Sequence, residues 1–282
     1  MGVILMILIS GCKSQVQEKK ELEEEVIINK IEEKVIFSTE LSDLINDISD
    51  ISIVQSKNIG YGGTLSENYQ SFEKIKKIAT TKELVELTNN ENDVIACYAS
   101  WALVDNSYEN LDVIFEKFIQ NNVEITFEGG CTIYPEKIYH LLYSRYYKKN
   151  FETKEVDRVF IKLDSLILYN HDTLTTLVYH ALDNRYYDRS YNKQISSLAF
   201  DKMNMDAVFY LAKWYKAEYS EELKISLTEY LNETTFSENE LALYFKTVKI
   251  LLDFNDDEID TIIREKINTD TSWLKQKEKF KY

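Results

Sequence analysis

The distribution of Gly and Pro constrains this chain more than any other feature of its sequence. Of its 282 residues only 7 are Gly and 1 is Pro, and the stretch 136–282 contains neither. Tight hairpins need residues that adopt positive φ, so such a composition excludes a sandwich or barrel of many strands. A long segment without either residue indicates successive helices that turn at Asn, Asp, Ser and Thr. We therefore predict an all-α fold.

Apolar residues recur at helical spacing in the same chain. Val94, Cys97, Tyr98, Trp101 and Ala102 occupy positions i, i+3, i+4, i+7 and i+8 of one helix. An earlier helix is predicted after Ser38-Thr39. Later helices are predicted at about 136–148, 153–169, 172–187, 191–201, 204–217, 220–232, 237–253 and 256–267. Caps are predicted at Asn204, Ser220 and Asn255-Asp256-Asp257, and Ser237-Glu238-Asn239-Glu240 has the pattern of a capping box.

Two segments indicate a repeat. Residues 139–147 align with 179–187 at an offset of 40 residues, with Tyr, His, Leu, Arg, Tyr and Tyr identical. Residues 83–103 resemble a HEAT repeat, because a Leu-x-x-Leu helix end, a polar turn and a helix with Ala99 and Ala102 follow one another. The resemblance implies an α-α superhelix, a HEAT/armadillo-like solenoid of about five to six helix pairs over 39–282. Uncharacterised bacterial HEAT-repeat proteins are similar in layout and carry no activity to transfer.

The first residues have the pattern of a secretion signal. Residues 1–11 carry no charge, 3–9 are all apolar, and Ile9-Ser10-Gly11-Cys12 resembles a bacterial lipobox. The resemblance implies cleavage before Cys12, acylation of Cys12 and anchoring in the cell envelope. Lys13 directly after the Cys resembles the pattern of lipoproteins that are sorted to the outer membrane. The resemblance implies a location on its periplasmic face or at the cell surface. The alternative is a fortuitous apolar N-terminus on a cytosolic protein.

A charged segment follows the signal. We divide the chain into a signal peptide at 1–11, a tether at 12–38 and a helical domain at 39–282. The tether is dominated by Lys, Glu and Gln as far as about Glu33, which favours a solvated spacer. The first turns of an amphipathic helix are the alternative. No stretch approaches 18 apolar residues, so a transmembrane helix is not predicted.

The charge balance limits the partners. The chain has 33 Lys and Arg against 48 Asp and Glu, a net charge of −15. Nucleic-acid binding is therefore not expected, because it needs a basic surface. A protein or peptide partner is expected, basic if its charge is to complement that of this chain.

The common catalytic motifs are missing from the sequence. It contains no dinucleotide or phosphate-binding Gly loop, no His-Glu-x-x-His, no Gly-x-Ser-x-Gly and no Cys-x-x-Cys. The histidines His140, His171 and His180 are interpreted as polar anchors beside helix interfaces, and the acidic run 253–260 as a helix start. We predict no catalysis, no cofactor and no metal site.

The Gly-bearing segments and paired tyrosines are the candidate binding residues. Tyr61, Gly62 and Gly63 lie in one Gly-bearing loop, and Gly129 and Gly130 in the other. The alternative is that these Gly residues only permit positive φ where the chain folds back. An envelope enzyme with a site near Tyr61, Glu128 and Cys131 is a further alternative.

Tyr is the other abundant candidate. Fifteen of the 20 Tyr lie between Tyr134 and Tyr244. The pairs Tyr146-Tyr147 and Tyr186-Tyr187 are candidates for a concave recognition surface, since Tyr is enriched at binding hot spots. The alternative is that Tyr fills gaps between helices while its hydroxyl reaches water.

The remaining cysteines are Cys97 and Cys131. An oxidising envelope permits a disulfide between them, and two separate buried thiols are the favoured interpretation. Together these features predict a membrane-anchored, noncatalytic protein-binding scaffold. A toxin-neutralising immunity or inhibitor lipoprotein is the first alternative, and the envelope enzyme is the second.

Overall fold

The computed structural model of the chain describes residues 35–151, 157–170, 174–183, 185–234 and 241–269. The lipobox with Cys12, His171 and the capping box at Ser237 lie outside the described residues. The described residues divide into two compact units. Unit 1 holds the residues up to Asn106 together with Ile125–Pro135, and unit 2 holds Ser107–Glu124 and the residues from Glu136 onward.

Unit 1 combines four helices with a small sheet. Its helices are α1 (Thr39–Asp50), α2 (Glu67–Ile78), α3 (Thr81–Leu87) and α4 (Asp93–Asp105). Its strands are β1 (Val54–Ile59), β2 (Thr64–Leu65), β3 (Glu124–Gly130) and β4 (Thr132–Lys137), of which β3 begins and β4 ends in unit 2. The sheet order is β2-β1-β3-β4, with β1 antiparallel to β2 and parallel to β3.

The prediction of an all-α fold is therefore correct for the predominance of helix and wrong about the sheet. The two Gly-bearing loops are the ends of hairpins. Strand β1 shows no alternation of buried and exposed residues, and β2 has only two residues. Strands without this alternation carry no period-two signal, which explains why the sequence pattern does not reveal them.

The helix starts of unit 1 follow local capping chemistry. The Ser38 hydroxyl accepts from the amide of Leu41, so α1 begins at Thr39 as expected. Thr80 and Glu83 form a capping box at the start of α3. Helices α3 and α4 pack against each other, which confirms the helix–turn–helix predicted at 83–103.

Helix α4 is the centre of unit 1. Its residues from Val94 to Val104 are all buried, so it packs on every side. Tyr98 stacks on Phe72 with ring centroids 5.3 Å apart, and Trp101 meets both rings edge-on. These aromatic contacts hold α2 and α4 together.

The described residues of unit 2 are mainly helical. The unit also contains the first residue of β3 and the end of β4. The helices are α5 (Leu111–Asn121), α6 (Ile138–Phe151), α7 (Arg158–Tyr169), α8 (Thr175–Leu182), α9 (Asn192–Ser196), α10 (Met205–Trp214), α11 (Ser220–Glu233), α12 (Leu241–Leu252) and α13 (Asp257–Thr269). A 3₁₀ turn (Arg189–Tyr191) precedes α9, and a π-helical turn (Ser197–Asp201) follows it. From α10 onward, each helix packs against the next one along the chain.

Most helix boundaries predicted for this unit are confirmed, with two corrections. The helix predicted at 172–187 ends at Leu182, and residues 185–188 form an irregular segment outside any helix or strand. Asn204 caps α10 through the amide of Ala207, but Ser220 is the first residue of α11 and makes no cap. Asp256 accepts from the amides of Glu258 and Ile259 at the start of α13.

Candidate functional site

The two Gly-bearing hairpins meet at one end of the sheet in unit 1. The amide of Gly60 donates to the carbonyl of Gly130 at 2.7 Å, and both residues have positive φ. Tyr61, Gly62 and Gly63 form the exposed tip between β1 and β2, where the Tyr61 side chain is fully exposed. Gly129 and Gly130 end β3. The structure therefore brings these five sequence candidates to one edge.

A buried polar network, rather than an open site, lies behind this edge. The Tyr98 hydroxyl accepts from the amide of Gln55 at 2.7 Å and donates to the Gln55 carbonyl at 3.0 Å. The Gln55 side chain donates to Glu128 and accepts from Ser66, both at 2.7 Å. Burial raises the pKa of Tyr98 far above its usual range, so the hydroxyl stays protonated. The network fastens β1 to α4 and to β3.

The residues of the alternative enzyme site do not form an enclosed cleft. Glu128 is held by Gln55, the Tyr61 side chain is fully exposed, and Cys131 is exposed in the turn between β3 and β4. Within the described residues, Tyr61 and Cys131 are therefore open to solvent. Cys97 is buried and forms no disulfide with Cys131. The expectation of two buried thiols is wrong for Cys131.

Two of the four candidate tyrosines in unit 2 are buried structural residues. The Tyr146 hydroxyl donates to Asp157 at 2.5 Å, next to the start of α7. The Tyr187 hydroxyl donates to the Ala181 carbonyl at 2.5 Å, and its amide donates to the Tyr210 hydroxyl at 2.7 Å. Tyr146 and Tyr187 therefore bind other parts of unit 2 and are not available to a partner.

The Arg of the repeated segment belongs to a buried ion pair. Asp164 on α7 is fully buried and pairs with Arg185, which follows α8. The Tyr143 hydroxyl donates to one Asp164 carboxylate oxygen at 2.6 Å, and the Tyr187 hydroxyl oxygen lies 3.2 Å from the other. The Arg185 guanidinium also lies 3.8 Å from the centre of the Phe160 ring. Arg185 and Tyr187 are thus both held at Asp164, beyond the end of α8.

Exposed aromatic side chains lie close to the irregular segment 185–188. Tyr186 is 62% exposed, and its ring meets that of Trp214 edge-on at 5.4 Å. Trp214 is 39% exposed, and Tyr179 on α8 is 52% exposed. We name Tyr179, Tyr186 and Trp214 the aromatic rim. Tyr147 is only half-buried and packs its ring against His180 at 4.8 Å.

Tyr179 of the aromatic rim lines a small cavity of about 100 Å³. The cavity is lined by Tyr179, Leu182, Asp183, Asp206, Phe209, Tyr210, Lys213 and Lys246. Lys213 connects the cavity to the rim, because its ammonium lies 4.8 Å from the centre of the Trp214 ring. The Lys246 ammonium lies 4.2 Å from the centre of the Phe209 ring.

Burial controls the charges in this cavity. It raises the pKa of Asp206 and lowers that of Lys246, so each charged form is less favourable there than in water. Lys213 and Lys246 line the cavity beside the carboxylates of Asp183 and Asp206, so its charges do not select a ligand of one sign. It can take a small polar group.

The histidines pack as structural groups. His140 Nδ1 lies 2.8 Å from a carboxylate oxygen of Glu136, one turn earlier. The ring of His180 contacts the rings of Tyr143, Tyr147 and Tyr179. Burial, followed by the nearby His140, lowers the pKa of His180. Within the described ranges, no three His, Cys, Asp or Glu side chains come together as metal ligands.

The sequence pattern does not single out Tyr179, Trp214, Asp183 or Asp206 as candidate binding residues. Trp214 belongs to no motif, and Tyr179 stands out only as part of the repeat. Asp183 and Asp206 lie on different elements, so only the packing of α8 against α10 brings them together. Which aromatic and acidic side chains lie together at the surface depends on the tertiary fold and cannot be found from the sequence alone.

Comparisons with protein-family profiles, curated proteins and solved structures find no match for this chain. In the part of the chain that the structure describes, no helix has the length and apolarity needed to cross a bilayer. The function must therefore be inferred from the side chains themselves.

Proposed function

We propose that this chain is a lipid-anchored, noncatalytic protein-binding scaffold of the bacterial envelope. Acylated Cys12 is the membrane anchor, residues 12–38 are the tether, and residues 39–282 are a HEAT-like solenoid of about five to six helix pairs. The sequential packing of helices α10 to α13 supports the solenoid, because solenoid repeats contact chiefly their neighbours. The aromatic rim carries the proposal of binding.

The composition of the rim is that of a protein-recognition surface. Tyr and Trp bury a large area at a small cost in side-chain entropy and are enriched at binding hot spots. Tyr179, Tyr186 and Trp214 expose such rings. Tyr179 lies on helix α8, Trp214 on helix α10, and Tyr186 on the irregular segment 185–188.

The net charge of the chain, rather than the cavity, supports a partner with basic side chains. The cavity is lined by Asp183 and Asp206 but also by Lys213 and Lys246, so its own charges do not favour a cationic group. The net charge of −15 would steer a basic partner toward the protein at low ionic strength.

The test is recovery of the partner from membranes. The acylated full chain is expressed in bacterial cells, crosslinked and purified, and the co-purified proteins are identified by mass spectrometry. The variant carries Tyr186→Ala and Trp214→Ala. The control carries Tyr169→Ala and Ile225→Ala, which remove side chains that are 57% and 58% exposed on α7 and α11.

We expect wild type and control to recover the same protein and the rim variant to lose it. Two hot-spot residues that each contribute more than about 1 kcal/mol correspond to a loss of affinity of at least about thirtyfold. Recovery of that protein by the rim variant would place the interface elsewhere. Recovery of no protein by the wild type at any salt concentration would contradict the scaffold.

A toxin-neutralising lipoprotein is the second proposal, and the net charge of −15 is the observation that favours it. Such a protein would bind a cationic enzyme and block its activity. Co-purification with a basic toxin, together with protection of cells against it, would distinguish this function from a general scaffold.

A further inference from the structure

Three lysines converge on one groove in unit 1. The groove has a volume of about 390 Å³ and lies between the β1–β2 hairpin and helix α2. Lys57 comes from β1, and Lys74 and Lys77 come from α2, one turn apart on the same side of the helix. All three side chains are exposed. Gln70 and Leu65 complete the exposed wall.

These lysines differ from Lys76, the third lysine of helix α2. Lys76 pairs with Glu73 at 2.7 Å and with Asp105 at 2.9 Å, so its charge is used within unit 1. Within the described residues, Lys57, Lys74 and Lys77 form no ion pair. The carboxylate of Glu73, which also lines the groove, is already engaged by Lys76.

Such a cluster is unusual in a chain whose net charge is −15. Three unpaired ammonium groups that face one another across a groove repel each other, and an anion between them removes that repulsion. Each ammonium offers three donors, which suits a phosphate oxygen better than it suits an apolar ligand. The groove therefore fits an anionic ligand that carries phosphate.

The neighbouring hairpin points to a membrane as the source of that phosphate. Tyr61 is fully exposed at the tip of the hairpin that also carries Lys57, and Leu65 is 46% exposed on β2. An aromatic ring beside a cationic groove suits the boundary between headgroups and acyl chains, where Tyr is enriched. Binding of a free phosphate ion in the groove would not involve Tyr61, which does not line it.

We propose that the groove formed by Lys57, Lys74 and Lys77 binds the headgroup phosphates of anionic phospholipids, with the Tyr61 hairpin touching the bilayer surface. Because the rest of the chain is acidic, an anionic bilayer repels its other faces, and this groove sets the orientation of unit 1. The binding requires neither acylation of Cys12 nor the aromatic rim, so it stands or falls separately from the proposed scaffold function.

The test is co-sedimentation of the full chain with vesicles. Cys12→Ser prevents acylation, and every protein compared carries this substitution. Neutral phosphatidylcholine vesicles measure background binding, including that of the apolar run at 3–9. Vesicles that also contain phosphatidylglycerol measure binding to anionic lipid. The groove variant carries Lys57→Gln, Lys74→Gln and Lys77→Gln.

The matched control carries Lys148→Gln, Lys193→Gln and Lys249→Gln. These lysines are exposed on helices α6, α9 and α12 of unit 2, and the charge change is the same. Urea unfolding of both variants confirms that each is folded before its binding is measured.

We expect the parent chain to bind anionic vesicles more strongly than neutral ones, and less strongly as salt is added. Each lysine near an anionic surface contributes about a fivefold change in affinity, so the groove variant should bind about a hundredfold more weakly. The control should stay within about twofold of the parent chain.

Three results would overturn the proposal. They are equal binding to neutral and anionic vesicles, equal weakening in the control and groove variants, and full competition by millimolar inorganic phosphate. The last result would assign the groove to a soluble anion.

Discussion

The amide of Gly60 and the carbonyl of Gly130 form a 2.7 Å hydrogen bond that joins the two hairpins of unit 1. The residues have φ of +67° and +58°, in the left-handed region that side chains with a Cβ rarely adopt. Each Gly is thus required where its strand ends and turns. The conformation of the two hairpins therefore depends on these two Gly residues.

Gly60→Ala should destabilise unit 1 by about 1–2 kcal/mol, because Ala is strained at positive φ. Gly62→Ala is the matched control. Its φ lies outside the left-handed region, and its new Cβ would meet only Thr64 at 4.0 Å. We expect that control to be neutral or slightly stabilising in urea unfolding. Equal destabilisation by both substitutions would show that the Gly60 conformation is not the cause.

Arg185→Ala should destabilise unit 2 by about 3–5 kcal/mol, because it leaves the buried Asp164 carboxylate without its cation. Replacement of both partners, Asp164→Leu with Arg185→Met, should recover most of that loss, as burying no charge avoids the desolvation cost. Urea unfolding of the two single variants and the double variant measures the coupling. Additive losses would contradict the ion pair.

Tyr187→Phe should lower the free energy of unfolding more than Tyr186→Phe does, although the two residues are adjacent. The Tyr187 hydroxyl is buried on the Ala181 carbonyl, so its removal should cost about 1–3 kcal/mol. Tyr186 is exposed, so its loss should cost less than about 0.5 kcal/mol. Thermal unfolding of both variants measures the difference. A larger cost at Tyr186 would reverse the assignment of buried and exposed residues.

His180 should make the protein less stable in acid. Its pKa is lowered in the folded state, chiefly by burial, so the unfolded chain binds the proton more readily. This contribution to stability is complete above the unfolded pKa of about 6.5 and is lost as the pH falls through the lowered folded value. Urea midpoints at pH 7.5 and 5.5 should therefore differ more for wild type than for His180→Phe. An unchanged difference would show that His180 does not titrate this way.

Cys12 should carry lipid in the mature protein. Mass spectrometry of the N-terminal peptide should find cleavage before Cys12 and acyl chains on it, since several chains anchor a protein stably. Cys12→Ser should release the protein from membranes washed with high salt, a condition that screens any contribution of the Lys groove. An intact, unmodified N-terminus would contradict both the signal and the proposed location.

Several features of unit 2 are local and could be predicted. Residues 136–282 lack Gly and Pro, and nearly every helix expected there is present within a few residues of its predicted ends. Asn204 and Asp256 cap helices where their side chains suggest, because capping involves only a few neighbouring residues. The helix–turn–helix at 83–103 follows from the same local chemistry.

Other features depend on contacts between residues far apart in the chain. The sheet needs Gln55 to pair with Glu128. Strand β1 lacks an alternation of buried and exposed residues, and β2 has only two residues. Tyr146 and Tyr147 lie on a helix, whereas their counterparts Tyr186 and Tyr187 lie on the irregular segment 185–188. The six identical positions of the two segments predicted equal surroundings, and the structure gives them different ones.

The sequence by itself determined that this chain is mostly helical, where most helices begin and end, and that Gly interrupts them at two places. Those properties come from backbone preferences and neighbouring side chains. Only the tertiary structure decided which tyrosines face water, which lysines share a groove, and that the Gly segments pair as strands. Burial, charge neutralisation and strand pairing involve residues far apart in the chain, so a local sequence pattern does not predict their energies.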